Sequence, residues 1–195
     1  MTPISSPMAG DVHPLADVPD PVFAQGLVGP GVAIAPAGEA KVTVVAPITG
    51  RVVKLHPHAF VIQAEELGVL VHLGIDTVQL NGRGFLLHAA EGDQVAVGTP
   101  LISWNPSEVV AGGRSAMCPV VVLDVAPESV TPVEVQTVEP GAALLNVQLR
   151  TGPPSGGPPR GISNLLSLAG RGRNSAVHVH IGDEPSQGPV ARHRT

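Results

Sequence analysis

Eight histidines are the main reactive inventory of this 195-residue chain. His178, His180 and His193 fall in the last 45 residues, His13 sits in a polar loop beside Pro14, and His88 follows Phe85-Leu86-Leu87 at an expected strand end. His56, His58 and His72 lie in the most strand-like part of the sequence. The residues on either side of Ala64-Glu65-Glu66 read as two antiparallel strands, and a turn centred on Glu65 pairs His58 with His72 directly. Directly opposed residues hold their Cβ atoms about 4.5–5.5 Å apart. A slip of one residue would send the two rings to opposite faces.

Two facing imidazoles allow three readings. They can be an incidental pair that merely satisfies its own hydrogen bonds. They can be part of a metal site, although zinc takes three or four ligands and two histidines leave it short. Or one neutral ring attacks an electrophile while the other stabilises the arriving charge. The surroundings favour the third reading. His72 stands in Val69-Leu70-Val71-His72-Leu73-Gly74-Ile75-Asp76-Thr77-Val78, an apolar collar that keeps water off a labile phospho-imidazole. Gly74 allows backbone to approach the ring closely. A carbonyl accepting the Nδ1 proton fixes the tautomer and leaves Nε2 free to attack. This reading requires the ring nitrogen of His72 to be exposed, uncharged and turned toward residue 58.

The elements that must position these rings are strands. Val-rich runs bounded by Gly, Pro, Asn or Asp occur at 42–46, 50–55, 60–63, 69–73, 94–97, 119–123, 133–138 and 143–149. No stretch keeps a helical period over three turns, and short helical turns are expected only near 21–25 and 105–111. Many short strands at near-regular spacing indicate an all-β sandwich or barrel. Pro7-Met8-Ala9-Gly10-Asp11-Val12 and Pro47-Ile48-Thr49-Gly50-Arg51-Val52 share P-x-x-G-x-V, which suggests a duplicated β element. Residues 151–195 are Gly/Pro-rich and are expected to form a disordered tail after a domain spanning 1–150, with 162–168 and 176–181 as the pieces that could order locally.

Composition narrows the function. The net charge is −5 and aromatics make up only 2% of the residues, which argues against nucleic-acid binding. The single cysteine, Cys118, excludes an intrachain disulfide framework and reads as a buried small apolar residue. No apolar run approaches the roughly 18 residues needed to cross a bilayer, and the start MTPISSPMAG lacks the form of a secretory signal. A cytoplasmic location is expected.

The segments DVPDPVFAQGLVGPGVAIAP (17–36), APITGRVVKL (46–55), HAF (58–60), VLVHLGIDTVQLNGRGF (69–85) and EGDQVAVGTPL (91–101) occur in an order that resembles the glucose-type enzyme IIA of the bacterial phosphoenolpyruvate-dependent sugar phosphotransferase system. The resemblance covers nearly all of residues 4–149. It implies an antiparallel β-sandwich with a partly duplicated core and a phosphocarrier activity. His72 matches the histidine phosphorylated on Nε2 by the small carrier HPr, which then passes the group to a cysteine on the IIB domain of a sugar permease. His58 matches the second active-site histidine, which supports onward transfer. Gly74 matches the glycine whose carbonyl orients the ring, and Asp76 an acidic residue suited to an arginine of HPr. No cofactor is implied, although zinc bridging His58, His72 and a partner's carboxylate is a mode of the family. The sequence departs from the pattern in four places, the first being a His58-to-His72 spacing one residue shorter than in enteric members. Glu66 stands where a glycine is usual, His56 where a threonine often bonds the second histidine, and Pro30 where an acidic residue is usual. A free-standing IIA is expected to meet its IIB partner in trans and to approach the membrane only through it. Two other readings are a regulatory binding protein that reports sugar status and a zinc hydrolase using the H-x-H of His178 and His180.

Overall fold

The computed structural model describes residues 1–37 and 41–149. The expected tail, its segments 162–168 and 176–181, and the His178/His180 pair lie outside the described residues.

Among the described residues fourteen strands follow in chain order: β1 (Thr2–Ser5), β2 (Gly10–Pro14), β3 (Gly31–Pro36), β4 (Val42–Val45), β5 (Gly50–His56), β6 (Ala59–Ala64), β7 (Leu67–His72), β8 (Phe85–Leu87), β9 (Gln94–Val95), β10 (Pro100–Trp104), β11 (Cys118–Leu123), β12 (Val130–Pro132), β13 (Thr137–Val138) and β14 (Ala143–Val147). Two short helices interrupt them, α1 (Pro21–Ala24) and α2 (Pro106–Ala111), at the two places where the sequence suggests helical turns. His13 lies in β2, not in a polar loop: its strand pairs with β3, and the ring meets the Asp17 carboxylate at 3.6 Å.

The strands form an eight-stranded sheet in the order β13-β2-β3-β11-β7-β6-β5-β9 and two three-stranded sheets, β1-β14-β12 and β4-β10-β8. All pairings are antiparallel. The main core draws Ile4, Val44, Ile102 and Leu145 from the small sheets and Phe60, Ile62, Val69 and Val71 from the large one. This is the sandwich the sequence implies.

The duplication is visible in the backbone bonds. Ser5 N donates to Pro47 O and Val45 N to Pro7 O, both at 2.9 Å, so in each repeat the residue two before the motif proline bonds the other repeat's proline. Gly141 N bonds Ser6 O as Gly98 N bonds Ala46 O. The motif glycines sit where a neighbouring strand crowds them. A Cβ on Gly10 would lie 2.2 Å from Ala35 O, and one on Gly50 2.4 Å from Gln63 O.

The outer face of the large sheet carries a second, smaller core. Alternation along β6 and β7 sends Phe60, Ile62, Val69 and Val71 inward and Ala59, Val61 and Leu70 outward. Leu15, Val18 and Phe23 cover these outward residues. Because both faces are covered, every residue of β7 is buried and its sequence is almost continuously apolar.

Candidate functional site

His72 is the last residue of β7 and points into the smaller core. Its register differs from the sequence expectation by one residue. The turn comprises Glu65 and Glu66, with Glu65 left-handed at φ 51°, so Ala59 and not His58 faces His72. The rings still meet, because His58 lies in the tight turn between β5 and β6 and is free of strand alternation. His56 pairs with Ala59, and Ala59 with His72, so these three positions line up across three strands. Ala59 contributes only a methyl group. The His58 ring spans the gap, 5.2 Å from the His72 ring and 5.8 Å from that of His56, centroid to centroid.

The backbone after β7 orients the His72 ring. His72 Nδ1 is 2.7 Å from Gly74 O, and a carbonyl only accepts, so Nδ1 carries the proton and Nε2 a lone pair. Gly74 holds φ at 71°, and a Cβ there would lie 2.8 Å from Thr77 Cγ2 and 2.9 Å from Ser115 O. Only glycine fits this turn. The turn is pinned on both sides: Thr77 Oγ1 donates to Leu73 O at 2.7 Å and Ile75 N to Ser115 O at 2.8 Å. Trp104 backs it, with Cζ3 3.5 Å from the position of a Gly74 Cβ.

The accessible ring nitrogen that the sequence reading requires is not found. His72 is only 1% exposed and His58 8%, and both Nε2 atoms are buried without a hydrogen-bond partner. The cover is apolar, with the Phe23 ring centroid 5.4 Å from that of His72. No hydrogen bond ties Nε2 down. The requirement that the ring be uncharged is met. Burial lowers the His72 pKa to about 4, against the raising influence of the Gly74 carbonyl and Asp76. Burial also lowers His58 to about 4, helped by the neighbouring His72 and His56 rings.

Asp76 follows in a left-handed conformation at φ 61° and is half-buried. Its backbone carbonyl accepts from Arg114 Nε at 3.3 Å. Cys118 is fully buried, and burial pushes its thiol up to about 12, so it is no nucleophile. Among the described residues, no group of three His, Cys, Asp or Glu side chains is placed to hold a metal ion. His58 and His72 would therefore need further ligands from a partner.

Phe23, Asp20 and Trp104 are site residues that sequence reasoning passed over. Asp20 accepts from Val22 N and Phe23 N at 2.8 and 3.3 Å and so caps α1, the helix that presents Phe23 to His72. The signal was available: Asp followed by Pro marks an N-cap and first helical position. His56 makes a ring stack with His58, the planes 21° apart.

Known proteins resemble this chain in sequence and in fold. The family described as phosphoenolpyruvate-dependent sugar phosphotransferase system, EIIA 1, matches residues 2–127. The chain is 40% identical over 123 residues to the glucose-specific EIIA component of the phosphotransferase system of Oceanobacillus iheyensis, covering 61% of this chain and 72% of that one. It is 43% identical over 122 residues to the glucose-specific EIIBCA component of Corynebacterium glutamicum, covering 61% of this chain but only 18% of the larger protein. Among solved structures, glucose permease IIA from Mycoplasma capricolum superposes with a TM-score of 0.68 at 28% identity, covering 74% of this chain and 94% of that one. With the family matched over most of its described length, the chain belongs to the EIIA 1 family of the phosphoenolpyruvate-dependent sugar phosphotransferase system, of glucose type.

Proposed function

We propose that His72 is the phosphoryl-carrying residue of this phosphotransferase component, that HPr supplies the group, and that a cysteine on the IIB unit of a sugar permease takes it. The observation that carries the reading is the 2.7 Å contact of Nδ1 with Gly74 O, which leaves a neutral imidazole with its lone pair on Nε2, beside a second imidazole.

The chemistry balances without a cofactor. The Nε2 lone pair attacks the phosphorus of a phosphohistidine donor, the donor's N–P bond breaks, and the donor ring leaves with that electron pair. The Nδ1 proton stays on His72, where the Gly74 carbonyl stabilises the charge gained by the ring. The orphan Nε2 of His58 then acquires an acceptor: as N–H it donates to a phosphoryl oxygen. Such an oriented donor is worth far more in a buried site than in water. Onward transfer reverses the pattern, with an acceptor thiolate attacking phosphorus and His72 returning to the neutral state. Most of the catalytic work is positioning and charge stabilisation.

Because His72 Nε2 is covered, docking of either partner has to displace the Phe23 side. Asp76, half-buried at the start of the following turn, is the group we assign to an arginine of HPr. Among the described residues, no helix is long and apolar enough to cross a membrane. Two EIIBCA relatives, from Corynebacterium glutamicum and Bacillus subtilis, carry the corresponding unit in one chain with EIIB and EIIC parts, which supports a permease partner for this one.

The test separates acceptance from donation. Incubated with phosphoenolpyruvate, enzyme I and HPr, the protein should take up acid-labile phosphate, and His72→Gln should take up none. His58→Gln should accept phosphate but donate to IIB slower by on the order of 10²-fold. Equal donation by His58→Gln and the unsubstituted protein would remove His58 from the mechanism.

A further inference from the structure

A cavity lies at the far end of the β6–β7 hairpin from the histidines. It is an open groove of about 590 Å³. Ile48, Leu67, Val97 and Leu149 supply its apolar surface, and Arg51 and Glu65 its charges. Val97 is 45% exposed and Leu149 38% exposed, although both are large apolar residues. Apolar surface gathered in one concavity marks an interaction site more often than a scattered exposed residue does.

The course of the chain suggests the occupant. Leu149, the last described residue, is itself part of the groove wall. Residues 150–195 continue from that wall. Their densest apolar cluster is Ile162, Leu165, Leu166 and Leu168, flanked by Arg160 on one side and by Arg171 and Arg173 on the other. Charge is complementary as well. Residues 1–150 carry 6 Lys+Arg against 14 Asp+Glu, and residues 151–195 carry 5 Arg against 2 acids. At the groove itself, Glu65 and its neighbour Glu66 offer the acidic side, opposed by Arg51.

We infer that residues 162–168 dock in this groove of their own chain, their leucines on the apolar wall and the flanking arginines toward the Glu65 turn. The inference is independent of the phosphoryl-transfer reading. Twelve residues, 150–161, link the wall to the docking segment. They reach about 20 Å as a random coil and about 37 Å as extended polyproline. Short linkers of this kind give effective concentrations in the millimolar range. An intrinsic affinity of about 0.1 mM would then keep the groove about 90% covered. β7 separates the groove from His72 by about 20 Å at the usual rise per strand residue. Docking therefore leaves the face that covers the histidines free for partners.

The test uses the full chain with Val97→Cys as the probe. Cys118 is fully buried, so it stays silent toward an alkylating reagent. The thiol at position 97 should react about tenfold faster when Leu165→Asp and Leu166→Asp are added, the ratio expected for a groove about 90% covered. Protection should persist on hundredfold dilution, with the protein sedimenting as a monomer. Equal alkylation rates with and without the two aspartates would overturn the inference. So would protection that disappears on dilution, because the occupant would then be a second copy. Should Val97→Cys fail to fold, amide hydrogen exchange at 94–97 in the otherwise unsubstituted chain decides the matter. Faster exchange on adding the two aspartates supports docking, and unchanged exchange refutes it.

Discussion

His72 and His58 are neutral because they are buried, and that burial has a measurable cost. Each has a pKa lowered from 6.5 to about 4 in the folded protein. Above pH 6.5 neither state binds these protons, and folding is unaffected. As pH falls from 6.5 toward 4, the unfolded chain takes up protons that the folded one refuses, so stability drops through that window. The loss is on the order of a few kcal/mol per ring at full effect. Thermal unfolding between pH 7.5 and 4.5 should show a falling midpoint, and His72→Leu should flatten part of the slope. Gly74 gives a second prediction at this scale. With φ at 71° and two atoms within 3 Å of any Cβ, Gly74→Ala should cost about 1–3 kcal/mol. It should also slow phosphate uptake, because the carbonyl that fixes the His72 tautomer moves with the turn. Unchanged uptake in a folded Gly74→Ala protein would show that the carbonyl's position is immaterial.

At the scale of elements, the site depends on α1 as much as on β7. Asp20 is buried and its carboxylate accepts two backbone N–H groups of a four-residue helix. Asp20→Ala should lower stability by about 1–2 kcal/mol and Asp20→Asn by less, since Asn still caps. Phe23→Ala should cost about 3–5 kcal/mol and raise the rate at which diethyl pyrocarbonate modifies His72. A Phe23→Ala protein in which His72 reacts no faster would mean that another side chain forms the cover. Much of this level was legible in the sequence. The Val-rich runs at 42–46, 50–55, 60–63 and 119–123 match β4, β5, β6 and β11 within two residues, and both helical turns fall where expected. Strands β1, β2, β3, β10 and β12 lie outside the expected runs, whereas β8 fits the strand end expected at Phe85-Leu86-Leu87. β1, β2, β3, β10 and β12 each contain a proline that weakens the strand signal. The run at 133–138 contracts to β13, because Val133 N and Val135 N bond to Leu144 O and Val133 O rather than joining one ladder. The hairpin register was misjudged by one residue, because turn geometry and not hydrophobic pattern fixes it where both faces are buried. His58 escapes the consequence because it sits in a turn.

For the whole molecule, the duplication explains how short strands hold a rigid site. The reciprocal bonds between the Pro7 and Pro47 segments lock the two halves together and place both small sheets beneath the large one. The sequence showed this only as a repeated P-x-x-G-x-V, since the glycines are needed at both close approaches while the surrounding residues are free to diverge. The second core was not legible. Residues 15–28 lie far in sequence from β7, and nothing local shows that they cover His72, which is why the ring was expected to be exposed. Removing residues 151–195 should leave both phosphate uptake and donation within about twofold of the full chain, since the groove assigned to that segment lies at the opposite end of β7 (about 20 Å away at strand rise). A large loss of uptake would instead make those residues part of the site.

The central claim concerns one atom, and nitrogen-resolved phosphorus NMR of the protein phosphorylated through HPr addresses it directly. The predicted result is a single phosphohistidine with phosphorus bonded to Nε2 of His72. Phosphorus on Nδ1, or on any residue other than His72, would contradict the account.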